Sequence, residues 1–326
     1  MSGSTPDVAT LTLRGSQGND QFSEGGTTIR RLRQHPSVPA AAGLLARGRS
    51  EREIRRAVER RQPIVVRRGL LATPGTSDLL LRAARVGGVT TSVTAAAVLG
   101  LSTPPGQPPV QPHRPEHDRP EHDRLHVAFR RTTTRLHDPS NGAPDLRRSP
   151  AVVLHRTAPE IVDAAAGSGI APALTMLEHA FRSLPPEHAL AILDSALHHR
   201  FLPATDLPAL AARLPAGLGP VVMAADGRAD TGIETITRYL LRLIGLRVVV
   251  HAVPDGIGEV DLLVEGRLIV ELDGKEFHDD DEAFERDRHR DLVAATTRYR
   301  SLRFTWRKEL FEWPSVEAAV LAALAA

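Results

Sequence analysis

Two apolar runs near the end of this 326-residue chain carry acids where a buried strand normally carries branched aliphatics. The first is Val260-Asp261-Leu262-Leu263-Val264. The second is Leu268-Ile269-Val270-Glu271-Leu272-Asp273-Gly274, and Glu265-Gly266-Arg267 lies between them. Side chains alternate along a strand, so Glu271 and Asp273 are expected on one face and Leu268, Val270 and Leu272 on the other. Neighbouring carboxylates on an apolar strand repel one another and resist desolvation, so they need a counter-charge. Mg²⁺ (or Mn²⁺) answers that need, because it binds through one or two carboxylates and keeps several waters. Asp261 joins the set only if the hairpin loop has the right parity. A two-residue turn would set it opposite Val270, whereas three loop residues, or a bulge, set it opposite Glu271. The odd loop is expected, with Gly266 supplying a permissive backbone.

The elements that must position these acids are legible around them. Thr231-Gly232-Ile233-Glu234 has the form of a capping box, and Ile233, Ile236, Leu240, Leu241 and Ile244 give the following helix an apolar stripe up to Gly245. Residues 246–253 read as a strand and 254–258 as a turn before the acid-bearing strands. Residues 284–295 read as a charged helix, 302–305 as a short strand, and Trp313-Pro314 opens a final Ala/Leu helix. This order suits a small mixed sheet with helices on both faces. Glu234 has two readings: the N3 acid of a helix start, or support for a cation from the first helix. Asp287, Arg288, Arg290 and Asp291 read as a helix-surface ion-pair network.

Taken together, Glu234, Val260–Val264, Glu271-Leu272-Asp273-Gly274…His278, Asp287-Arg288…Arg290-Asp291 and Leu302–Trp306 resemble the PD-(D/E)xK restriction-endonuclease-like superfamily. The likeness is to a bacterial domain family allied to the very-short-patch-repair (Vsr-like) endonucleases, and it covers roughly the last 95 residues. It implies metal-dependent hydrolysis of a DNA phosphodiester, with Asp261, Glu271 and Asp273 at the metal. Glu234 would support them, and His278 would orient or deprotonate the attacking water. The superfamily's lysine position holds Asp273, so positive charge must come from Lys275, Arg303 or a protonated His278. Arg298 stands where the family has Gly before its last strand.

The other end of the chain is basic. Between Arg47 and Arg68 there are nine arginines and three glutamates, a local excess of six in a chain whose net charge is only +2. Lysine occurs only at positions 275 and 308, so 39 of the 41 basic residues are arginine (41 less 2). A GC-rich genome and phosphate recognition both produce that bias. Residues 39–46 read as a short helix, Ser50-Glu51-Arg52-Glu53 as a capping box opening a helix over 51–61, and residues 64–71 as a hairpin. Helix, turn, helix and hairpin is the order of a winged helix-turn-helix, whose second helix enters the major groove. Arg49, Arg52, Arg55, Arg56, Arg60, Arg67 and Arg68 are then the DNA contacts, with Lys275 and Arg303 at the other end. The same stretch is similar to the N-terminal winged-helix domain of AbiEi-type antitoxins, through Arg67–Pro74 and Gly87-Gly88-Val89…Ser92…Ala95-Ala96-Ala97…Leu99-Gly100-Leu101. That resemblance implies a DNA-reading role.

Between the two ends the chain offers no chemistry. Prolines at 104, 105, 108, 109, 112, 115 and 120 forbid regular structure around a tandem Arg-Pro-Glu-His-Asp repeat. His113, His117, His122 and His126 therefore lack the helix that their spacing would need to bind a metal. Asp194 and His198, four apart on one helix, read as a surface ion pair. The expected organisation is multi-domain α+β. It comprises a disordered tail (1–28), a winged helix-turn-helix (29–101), a Pro-rich linker (102–124) and an α/β scaffold (125–214). A hinge (215–230) and a nuclease domain with a small mixed sheet (231–326) follow. Zero cysteine excludes disulfides, thiolate zinc sites and a Cys nucleophile. No 18-residue apolar run and no signal peptide are present, so a cytoplasmic protein without a membrane partner is expected. Two functions follow: a DNA endonuclease of phage defence, toxin–antitoxin or repair, delivered by its winged helix, or an AbiEi-like antitoxin and transcriptional regulator that keeps a non-catalytic nuclease fold. The partners are DNA and either a cognate toxin or a second protomer.

Overall fold

Alternating Val and Leu in three short runs and a helix start capped by Thr231 build the part of the molecule that bears the acids, and both lie in the second of its two units. A computed structural model of the chain describes residues 44–45, 64–67, 70–72, 76–104, 124–142, 151–165, 167–273, 299–305 and 312–325. It divides at Ser183/Leu184, and Leu101–Pro104 belong with the second unit. The predicted tail, the helix over 51–61, the linker from 105 to 123 and the helix over 284–295 lie outside the described residues.

The first unit holds two three-stranded sheets. Strands β2 (Ile64–Arg67) and β3 (Leu70–Ala72) form the expected antiparallel hairpin, with a register shift between Val65 and Arg67, and β1 (Leu44–Leu45) pairs with β3. The helix expected over 39–46 is thus corrected at Leu44–Leu45, where pairing with Ala72 and Leu71 overrides the helical preference of leucine. Strand β5 (Leu125–Arg130) lies between antiparallel β4 (Val89–Thr90) and parallel β6 (Val152–Thr157). Helix α1 (Asp78–Val86) packs against both sheets, burying Leu81 and Ala84 with Val66 and Ala72, and Ala83 and Val86 with Leu125 and Val127. The Gly87-Gly88 pair has a structural cause. Gly87 ends α1 in the left-handed region at φ 116°, and a Cβ on Gly88 would collide with the carbonyl of Ala128. Helices α2 (Ser92–Leu99), α3 (Pro159–Ala164) and α4 (Ala173–Ser183) complete the unit.

Inside this unit three histidines meet, although the sequence reading had placed His126 with the linker histidines. His126 on β5 is wholly buried, with its Nδ1 3.1 Å from Nε2 of His155 on β6. The rings of His155 and His179 stack at 4.5 Å, and His179 Nδ1 shares a 2.8 Å hydrogen bond with the hydroxyl of Thr91, the residue that precedes α2. Burial, with the neighbouring His179 and His126, lowers His155 to about 3; burial, with Arg182 and His126, lowers His179 to about 4.

In the second unit, α5 (Pro186–His198) packs against α8 (Gly232–Leu243), with the short α6 (Leu207–Ala211) and α7 (Gly219–Met223) between them in sequence. The stretch expected as a hinge at 215–230 contains α7 and part of this packing. Asp194 is not the surface residue expected. It is 0% exposed, and its Oδ2 accepts from Arg238 Nη2 at 2.5 Å and Thr235 Oγ1 at 2.8 Å, while Oδ1 accepts from the Asp226 amide at 2.8 Å. His198 instead faces Asp230, 3.4 Å away. A carboxylate buried on a helix finds its partner on another helix, which the spacing within one helix does not reveal. Burial raises the Asp194 carboxyl to about 6 against the opposing pull of Arg238.

The sheet of this unit runs β10-β9-β8-β7, where β7 is Val248–Ala252, β8 Val260–Val264, β9 Leu268–Asp273 and β10 Arg300–Thr305. Strands β7, β8 and β9 are antiparallel and β10 is parallel to β9, so the sheet is mixed, as expected. Val248, Val250, Leu262, Val264, Leu268 and Val270 form one apolar face with Leu241 of α8 and Val316 and Val320 of α9 (Trp313–Ala325). Both described helices thus share one cluster. The expectation of helices on both faces is met on one face only among the described residues. No helix among them is long and apolar enough to cross a membrane.

Removing one member of the buried pair leaves an uncompensated charge. Asp194→Ala is expected to cost about 3–5 kcal/mol in urea unfolding, and the Asp194→Leu/Arg238→Met double variant to recover most of it. Equal losses in the single and double variants would disprove this account. The histidine stack makes a second prediction. Below pH 6.5 the unfolded chain takes up protons that folded His179 and His155 refuse until about pH 4 and about pH 3, so stability falls with pH across that window. At about 1.4 kcal/mol per pKa unit, His179 alone contributes on the order of 3 kcal/mol, read as unfolding midpoints between pH 7 and 4.5. His155→Gln should flatten that dependence.

Candidate active site

The hairpin between β8 and β9 sets the phase of the acids. Val264 pairs with Leu268, Leu263 with Ile269 and Leu262 with Val270, so the loop is the three residues Glu265-Gly266-Arg267. Glu265 and Gly266 both take left-handed backbone, at φ 50° and 67°. The non-glycine Glu265 is held there by Arg247, whose amide donates to Oε1 at 2.6 Å and whose Nε donates to Oε2 at 3.1 Å. One further step of this register brings Asp261 opposite Glu271, the odd-loop outcome. Both have the parity of Leu263 and Ile269, opposite to the apolar cluster, and both are half-buried. Regular pairing stops at Leu262, where the Asp261 carboxylate replaces a main-chain acceptor: its Oδ2 accepts from the Leu272 amide at 2.7 Å.

On the other side of β9, Arg303 is the register partner of Glu271 and Thr305 that of Asp273. Arg303 thus stands one strand from the acid it was expected to complement. The side chains of Asp273 and of Arg67, which closes β2, lie outside the described residues. So do Arg49, Arg52, Arg55, Arg56, Arg60, Arg68, Lys275 and His278 entirely.

Glu234 is 4% exposed and fully engaged. Its amide donates to Thr231 Oγ1 at 3.4 Å, and the Thr231 hydroxyl donates back to Oε1 at 2.7 Å. The Asp230 amide donates to Oε2 at 3.0 Å. The capping box is therefore real. The same Oε2 also accepts from Nε2 of His251 at 3.1 Å.

The sequence reading missed His251. It lies on β7 between Val250, which pairs with Leu262, and Ala252, which pairs with Val260, so its cross-strand position is that of Asp261. Its backbone is left-handed at φ 48°, which breaks regular pairing at that step. Nδ1 stands 3.4 Å from Glu259 Oε1, and Nε2 is 3.9 Å from Asp230 Oδ2. Burial opposes the charged imidazole, but the hydrogen bond to Glu234 and the carboxylates of Glu234, Asp230 and Glu259 outweigh it, so its pKa lies above the ordinary histidine value. The available signal was its place in the Val-Val-Val-His-Ala run, which is polar where its neighbours are aliphatic.

No family model, no curated protein and no solved structure matches this chain. The site is therefore read from its own chemistry. Among the described residues no group of three His, Asp or Glu side chains is gathered closely enough to hold a metal. The pair in register, Asp261 and Glu271, offers hard carboxylate oxygens, and Asp261 has one oxygen beyond the one that accepts from Leu272. That donor chemistry fits Mg²⁺ or Mn²⁺ bound mainly through water.

Proposed function

We propose that the chain is a metal-dependent DNA endonuclease, carried to its substrate by the basic N-terminal segment and acting in phage defence, a toxin–antitoxin system or repair. The observation that carries this reading is the three-residue hairpin loop, which sets Asp261 in register with Glu271 on the face turned away from the apolar core. The β2–β3 hairpin after the arginine-rich stretch supports the winged-helix reading, and the mixed β10-β9-β8-β7 sheet supports the PD-(D/E)xK-like one.

Asp261, Glu271 and Asp273 would hold the cation. When bound, the metal would polarise a phosphoryl oxygen and acidify a water. His278 would take that water's proton, and Arg303, beside Glu271 in the ladder, would offset charge at the phosphate. The arginines between 47 and 68 would grip DNA phosphates, with binding that weakens as salt rises.

Incubating the purified protein with supercoiled plasmid and Mg²⁺ or Mn²⁺ tests the reading directly. Wild type should nick or linearise the DNA, and Asp261→Ala/Glu271→Ala should lose activity by about 100-fold or more. Cleavage that survives the double substitution would assign the activity elsewhere. Salt-sensitive retention of DNA without cleavage of any DNA form would instead favour the antitoxin-like regulator.

A further inference from the structure

His251 combines four features that a structural histidine on an edge strand does not need together. It stands across from Asp261 in the β7–β8 ladder. Its backbone occupies a region that non-glycine residues rarely adopt and that recurs at functional sites. A buried carboxylate, Glu234, fixes one ring nitrogen at 3.1 Å. The other nitrogen faces outward towards Glu259, whose side chain is 63% exposed and 3.4 Å away. The first three hold the ring in one orientation beside the acids, and the fourth leaves one N–H directed at an anionic oxygen on a side chain free to move.

The geometry points to His251 as the group that meets the scissile phosphate, with Glu234 as its positioning residue and the Glu259 carboxylate holding the place that a phosphate oxygen takes. This rests on the nuclease reading, and it deepens it by naming a cationic donor for a site whose sequence pattern has Asp273 at the superfamily's lysine position. The imidazole acts by position and charge: Nε2–H stays with Glu234 while Nδ1–H passes from Glu259 to the phosphate. Asp230, Glu234 and Glu259 all face the ring and favour its charged form, and Asp261 is its cross-strand neighbour. An exposed pair such as His251–Glu259 is weak enough for substrate to displace.

Four variants of the full chain are compared for plasmid cleavage under saturating Mg²⁺, with thermal melting as a fold control. His251→Ala should lower kcat by about 100-fold with a smaller change in KM, and His251→Lys should restore part of that loss by returning a cation. Glu234→Gln should lower kcat to an intermediate extent, and Glu259→Ala should lower KM. In parallel, metal-free ¹⁵N-histidine protein is titrated with a short DNA duplex, and the His251 ring resonances are followed. A His251→Ala variant with wild-type kcat, or ring resonances unmoved by duplex, would overturn the assignment while leaving the nuclease reading intact. Wild type that cleaves no DNA would remove the nuclease reading. The duplex titration would then still decide whether His251 meets phosphate.

Discussion

A strand pair has only two phases, and the number of residues in its turn chooses between them. Here three residues separate Val264 from Leu268, so the acids of β8 and β9 fall in step. One residue fewer would carry Asp261 round to Val270 and leave Glu271 without a carboxylate opposite. The turn is not a permissive default, since Glu265 is held in left-handed backbone by two hydrogen bonds from Arg247. The consequence reaches the core, because the phase that joins the acids also places Leu262, Val264, Leu268 and Val270 together against α8 and α9. Core and candidate site are thus selected by the same geometric choice.

Helix α8 couples that sheet to the helices before it. Its apolar stripe includes Leu241, which meets the sheet, while Thr235 and Arg238 turn to Asp194 on α5. Its first turn grips His251 through Glu234. A helix read from its apolar spacing alone would be given one buried face, yet Glu234, Thr235, Thr237 and Arg238 are buried as well. Each buried polar group whose bonds are described has a partner on a segment distant in sequence or in the cap itself, which is the condition on which such groups are tolerated. The buried carboxylate of Asp194 is the dearest of these, and Arg238, Thr235 and the Asp226 amide share the task of satisfying it.

Much of the local structure was legible in the residues. The capping box at Thr231, the hairpin over 64–71, the strands over 125–130 and 152–157, the odd turn at Glu265 and the helix at Trp313 follow from spacing, β-branching and turn chemistry, which are properties of short segments. Leu44–Leu45 went the other way, because pairing with β3 outweighed the helical preference of leucine. Glu234 was legible as a cap and as an acid near the site, and both engagements are present in one carboxylate.

What the chain alone determined is which residues are acids, which stretches are strands and the phase in which the two acid-bearing strands meet, since each depends on neighbours within a few positions. Only the tertiary structure decided that Asp194 lies buried against Arg238, that His126, His155 and His179 form one stack, and that His251 stands between Glu234 and Glu259 across from Asp261. Each of these joins side chains from separate elements. Their partners are set by how helices and sheets dock, and the periodicity of one element holds no record of which face of another will meet it.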